Sequence, residues 1–150
     1  MHSVRSIVLF CLCLGLAFAC PVRGDDSTGN VTPVTVRLAF RDGTCRNALL
    51  IAQSQSIDAR PTPDLRFRTA TGEVALRTDM LVSITDIVDK SSAEQSSALI
   101  RVERGSPRRL KFGRQLESIV ILNDDGTREL VDLRKIASLR VVRKTAVARS

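Results

Sequence analysis

From Val34 the chain alternates apolar and polar residues with a period of two. Val34, Val36, Leu38 and Phe40 share one side, and Thr35, Arg37 and Ala39 the other. That pattern is a strand with one face in a core. Arg41-Asp42-Gly43-Thr44 follows, with Asp-Gly as a hairpin turn, and residues 45–52 return as a second strand. A polar loop closed by Pro61 and Pro63 precedes a third alternating run at 65–69, a turn at Thr71-Gly72 and a return through 74–76. Thr78-Asp79 marks a corner, and 81–88 is the next strand. Residues 89–98, rich in Ser and charge, read as a linker. Strands are then predicted over 99–103, 116–122, 129–133 and 136–142. Gly105-Ser106-Pro107 ends the first of these, Asn123-Asp124-Asp125-Gly126 is a turn, and Arg134-Lys135 a corner. Helix is limited to one or two turns within 93–100.

The predicted fold class is all-β: two small antiparallel β-meanders, 34–88 and 99–142, packed as one compact domain of about seven to nine short strands. Residues 65–84 and 119–139 repeat the order strand, glycine turn, strand, corner, strand, with one insertion. Each such unit is too small to bury its own face, so the two are expected to pack together or close into barrels.

The segment before the first strand has a different character. Arg5 precedes an uncharged apolar run of 13 residues, 7–19, broken by Pro21. A bilayer-spanning helix needs about 20 residues, so residues 1–24 read as a signal peptide cleaved after Gly24. Residues 25–33 are then a polar lead-in and 143–150 a basic tail. A cut after Ala19 is the alternative, and lipidation of Cys20 a third. The expected location is exported, periplasmic or secreted, with a lipid anchor only if Cys20 is modified. No transmembrane span is expected in the mature chain.

Composition narrows the chemistry. The only histidine, His2, lies in the leader, and Trp and Tyr are absent. Ser-His-Asp and Cys-His catalysis, and most zinc sites, are thereby excluded from the mature chain. Cys45 is its only cysteine if cleavage follows Gly24; it reads as a half-buried strand thiol. Neither a cofactor nor a metal site is expected, and the chain is read as non-enzymatic. Asp86 with Asp89, and Asp64 with Glu73, are the carboxylate pairs that a hydrolase reading would need.

The net charge is +7, with 23 Lys and Arg against 16 Asp and Glu. Arg101, Arg104, Arg108, Arg109, Lys111 and Arg114 are opposed within their segment only by Glu103. They are the candidate anion-binding residues, able to neutralise phosphates or carboxylates of an envelope polymer. The same run also suits a solvated loop guarding a strand edge. Expected partners are an anionic envelope polymer or another envelope protein; nucleic acid is not expected for an exported chain. A structural subunit pairing through strand edges is the alternative.

Leu38-Ala39-Phe40-Arg41-Asp42-Gly43-Thr44, Thr71-Gly72-Glu73-Val74 and Leu81-Val82-Ser83-Ile84 carry a layout that resembles the small SH3-like or Sm-like β-barrels, units that recur in exported bacterial proteins of unknown role. The resemblance covers 34–88, with a partial echo at 119–142. It implies a binding or assembly module and identifies no ligand.

Overall fold

The computed structural model describes residues 32–92, 95–113 and 117–143. The leader, Cys20 and Arg114 lie outside the described residues. The strands are β1 (Val34–Phe40), β2 (Cys45–Gln53), β3 (Asp64–Arg68), β4 (Glu73–Arg77), β5 (Leu81–Val88), β6 (Ser97–Val102), β7 (Arg108–Lys111), β8 (Ser118–Leu122), β9 (Arg128–Asp132) and β10 (Ile136–Val141). Two 3-10 turns, Thr78–Met80 and Leu133–Lys135, form the corners before β5 and β10. The described residues are therefore all-β, and no helix among them is long and apolar enough to cross a membrane.

One antiparallel sheet holds all ten strands in the order β4-β3-β7-β6-β5-β10-β1-β2-β8-β9. It is not closed: β4 and β9 are its free edges. β7 is absent from the sequence expectation because only Leu110 in its four residues faces the core. Residues 97–100 belong to β6 rather than to a helical turn, since β5 and β7 satisfy both of its edges.

The order reads alike outward from the seam between β5 and β10. On one side lie β6, β7, β3 and β4; on the other β1, β2, β8 and β9. At the seam Ile84 faces Leu139 and Ser83 faces Arg140. The two 3-10 corners are entered identically: Thr78 N–H donates to the Pro63 carbonyl at 2.7 Å, and Leu133 N–H to that of Glu117 at 2.6 Å. The chain order 34–88 and 99–142 is thus not the spatial order. The contiguous half is β3–β7, and β1 and β2 sit with β8–β10.

The inward residues of both halves make one core. Val36, Leu38, Phe67, Leu81, Ile84, Phe112, Ile121, Leu133 and Leu139 are fully buried in it, and Phe67 and Phe112 pack as tilted rings 6.0 Å apart. Outside β2 and β8 a smaller cluster, Ile51, Ala52 and Val120, lies against Ala59. Residues 54–63 are held over it by Thr62 N–H to the Ile51 carbonyl at 3.0 Å and by the Arg128 guanidinium on the Ala59 carbonyl at 3.0 Å.

Two hairpins turn on the same three residues. Asp42-Gly43-Thr44 joins β1 to β2, and Asp125-Gly126-Thr127 joins β8 to β9. Gly43 and Gly126 take φ of 89° and 82°, a region that glycine enters without a Cβ penalty. In each, the threonine N–H and hydroxyl donate to one carboxylate oxygen, at 2.9 and 2.7 Å on Asp42 and at 2.9 and 2.6 Å on Asp125. Those bonds, the hydroxyl first, hold both carboxyls below their ordinary range. Asp132 caps the second corner; burial pushes its carboxyl up, but bonds from the Arg134 side chain and N–H outweigh that and the net direction is down.

The seam makes the core sensitive at one point. Leu139→Ala is expected to cost about 2–5 kcal/mol in urea unfolding, against little for Leu130→Ala on the exposed side of β9; equal costs would refute a core shared across the seam. Acid should act through the turns. A carboxyl whose folded value is depressed contributes stability that is complete above its unfolded value of about 4 and lost as pH falls through the folded one. The melting temperature should therefore hold from neutral pH down to that range and drop below it. The Asp42→Asn, Asp125→Asn double variant should show a shallower drop, and an unaltered drop would discount the turns.

Candidate anion-binding face

Strand alternation divides the basic segment between two surfaces. On β6 Ala98 and Ile100 point into the core, so Arg101 points out. On β7 Leu110 points in, so Arg109 and Lys111 point out, whereas Arg108 shares the inner side at the strand's solvent end. Arg104 stands in the preceding turn, next to Gly105 at φ 135°. The six residues read from sequence therefore do not make one surface. Arg101, Arg109 and Lys111 share the outer face, Arg104 and Arg108 flank a hollow on the inner side, and Arg114 lies outside the described residues.

Arg109 already has an anionic partner. Its guanidinium donates to the Asp86 carboxylate, to the Asp86 carbonyl at 3.2 Å and to Ser97 Oγ at 3.2 Å. Asp86 sits in a bulge of β5 at φ 48°, an uncommon conformation for a non-glycine residue. Arg109 is thus a clamp on that bulge.

Two arginines outside the segment complete the outer face. Arg37 on β1 faces Arg140 on β10, Arg140 faces Ser83 on β5, and Ser83 faces Arg101 on β6. These four residues form one row across four adjacent strands, at a strand spacing of about 4.8 Å. All three arginines are exposed and make no ion pair among the described residues. On one side of Arg140 lies a shallow hollow of about 220 Å³ lined by Arg37, Ala39, Ser138 and Arg140. On the other lies one of about 400 Å³ that reaches Arg101 and Pro107. No carboxylate among the described residues lines either hollow. Arg37 was readable as outward-facing from the alternation of β1; its position opposite Arg140 was not, because that pairing joins strands about 100 residues apart in sequence.

The inner hollow, about 250 Å³, is lined by residues of β4, β6 and β7 and of the turn between β6 and β7. Val74, Leu76, Ile100, Val102 and Leu110 form its walls, with Arg104 and Arg108 at its rim. The proposed carboxylate pairs are not assembled. Asp64 faces Arg77 and Glu73 faces Arg68, at opposite ends of the β3–β4 hairpin, and Asp86 is taken by Arg109 while Asp89 accepts from Ser96 Oγ at 3.5 Å. Cys45 is exposed rather than half-buried, because it opens β2 directly after the turn. Asn123 to Gly126 form the hairpin turn already described.

Compared with models of protein families, with curated proteins and with solved structures, the chain shows no match.

Like charges directly opposite on one sheet face are destabilising. Arg37→Ser is therefore expected to raise the melting temperature at low salt, with the gain shrinking as salt screens the pair. A loss of stability at low salt would mean that Arg37 has a compensating partner.

Proposed function

We propose that the protein is an exported, non-enzymatic binding module of the cell envelope that engages an anionic polymer through its outer face. The observation that carries this reading is the row Arg37, Arg140, Ser83, Arg101. Arg37 and Arg140 stand side by side on the sheet, with Arg101 one strand further on beyond Ser83, and none is neutralised from within the described residues. Such an arrangement works against stability, and an anion laid along the row reverses its sign. Arginine suits the task because its planar fork binds phosphate, sulfate or carboxylate bidentately. Lys111 extends the same field. Export rests on the leader sequence, and the absence of histidine beyond it supports the non-enzymatic reading.

The resemblance to SH3-like units belongs to the same proposal. In each half five strands run in the order β5-β6-β7-β3-β4 or β10-β1-β2-β8-β9, with a 3-10 corner before β5 or β10. A second reading is assembly through strand edges, favoured by the two free edges β4 and β9. The outward residues Glu73, Ala75 and Arg77 of β4 put charge on one edge, a device that discourages pairing.

The test is binding of labelled dextran sulfate, as a stand-in polyanion, at low and high salt. The purified chain is expected to bind at low salt and to release at high salt, and the Arg37→Glu, Arg101→Glu, Arg140→Glu variant to bind at neither. Binding that survives those changes would move the site elsewhere. Failure to bind, with elution as an oligomer at every salt concentration, would favour edge assembly.

A further inference from the structure

The two halves of the sheet provide an internal comparison at the inner hollow. In the half formed by β1, β2 and β8–β10 the corresponding arginine is held by the protein itself, beside a more open hollow of about 370 Å³ lined by Phe40, Asp42, Thr44, Cys45 and Arg46. Arg46 faces Leu38, Phe40 faces Ile136, and Glu129 faces Ile121. The Arg46 guanidinium lies 5.0 Å over the Phe40 ring and bonds Glu129 at 2.7 Å. That bond, first among the causes, holds the Glu129 carboxyl below its ordinary range.

Reading the same registers in the β3–β7 half gives each residue its counterpart. Arg108 faces Ile100 as Arg46 faces Leu38. Val102 faces Leu81 as Phe40 faces Ile136. Val74 faces Phe67 as Glu129 faces Ile121. The arginine is common to both halves, whereas valine stands at the positions of the ring and of the carboxylate. The Arg108 side chain has no hydrogen bond or ion pair among the described residues, and it lines a hollow of about 250 Å³ with Val74 and Val102 in its walls.

We infer that this mouth binds an apolar monocarboxylate, its carboxylate on Arg108 in the place that Glu129 holds beside Arg46, and its chain in the hollow. The inference goes beyond the polyanion reading and rests on a different surface. Charge selects the head group: Arg104 and Arg108 are cationic, and no acid among the described residues lines the hollow. The walls select the tail, since Val74, Leu76, Ile100, Val102 and Leu110 offer apolar surface. At about 30 Å³ for a water-sized group, the hollow takes roughly eight non-hydrogen atoms, the size of a medium-chain fatty acid with its carboxylate at the rim.

Octanoate is the probe, titrated into the purified full chain by calorimetry, with octan-1-ol and octylamine as controls. Octanoate is expected to saturate a single site and the controls to give no saturation. Arg108→Gln should weaken octanoate about tenfold or more, as loss of a charge-assisted bond does. Val74→Glu should abolish binding and raise the melting temperature, because it rebuilds on Arg108 the pair that Arg46 makes with Glu129. Binding of dextran sulfate measured on the same variants should not change, which separates failure at the mouth from failure of the outer face. Equal binding of octanoate and octan-1-ol, no octanoate binding by the parent chain, or octanoate binding unaffected by Arg108→Gln or Val74→Glu would overturn the inference.

Discussion

The packing of Ile84 against Leu139 across the β5–β10 seam is the contact on which the rest of the sheet depends. These two strands meet over a short register, Ile84 with Leu139 and Ser83 with Arg140. Both apolar partners are fully buried. Inner residues of both halves are buried in one shared core, and burial of apolar area is the main favourable term in folding. The seam also fixes the outer face, because the same register that brings two apolar residues together inside places Arg140 between Arg37 and Ser83 outside. Core and cationic row are two sides of one alignment, and a slip by one residue would exchange them.

Much of this was legible along the chain because period-two alternation is a local signal. Val36 and Leu38 are buried and Arg37 exposed, as β1's pattern requires, and the corners at Thr78-Asp79 and Arg134-Lys135 are 3-10 turns. The repeat of strand, turn, strand, corner, strand was readable for the same reason. Two things were not. β7 has only Leu110 to mark it and is defined by its partners β6 and β3. Strand neighbours far apart in sequence carry no local trace, so neither the interleaving of the halves nor the meeting of Arg37 with Arg140 was visible. The basic run 101–114 drew attention as a block, yet a strand sends successive side chains to opposite faces. Charge density along a sequence and charge density on a surface are therefore different quantities.

The two halves differ unevenly. Backbone features are kept: the 3-10 corners, the carbonyls that receive their first N–H, and the glycines at 43 and 105 that turn the chain with positive φ. Differences gather at the mouths, where one half has Phe40, Arg46 and Glu129 and the other Val102, Arg108 and Val74. Backbone geometry tolerates little change without strain, whereas a solvent-facing rim tolerates substitution freely.

The interleaved order also sets a sequence of events during synthesis. β3 to β7 are contiguous, and their mutual contacts become available as soon as residue 111 has emerged. β1 must wait for β10, since Val36 meets Val141 only at the far end of the chain. Pairings so distant in sequence form slowly, because loop closure precedes the contacts that reward it. β1 therefore stays without its second neighbour until residues 136–141 have been made, so the middle of the sheet is completed only by the last of its strands to be synthesised.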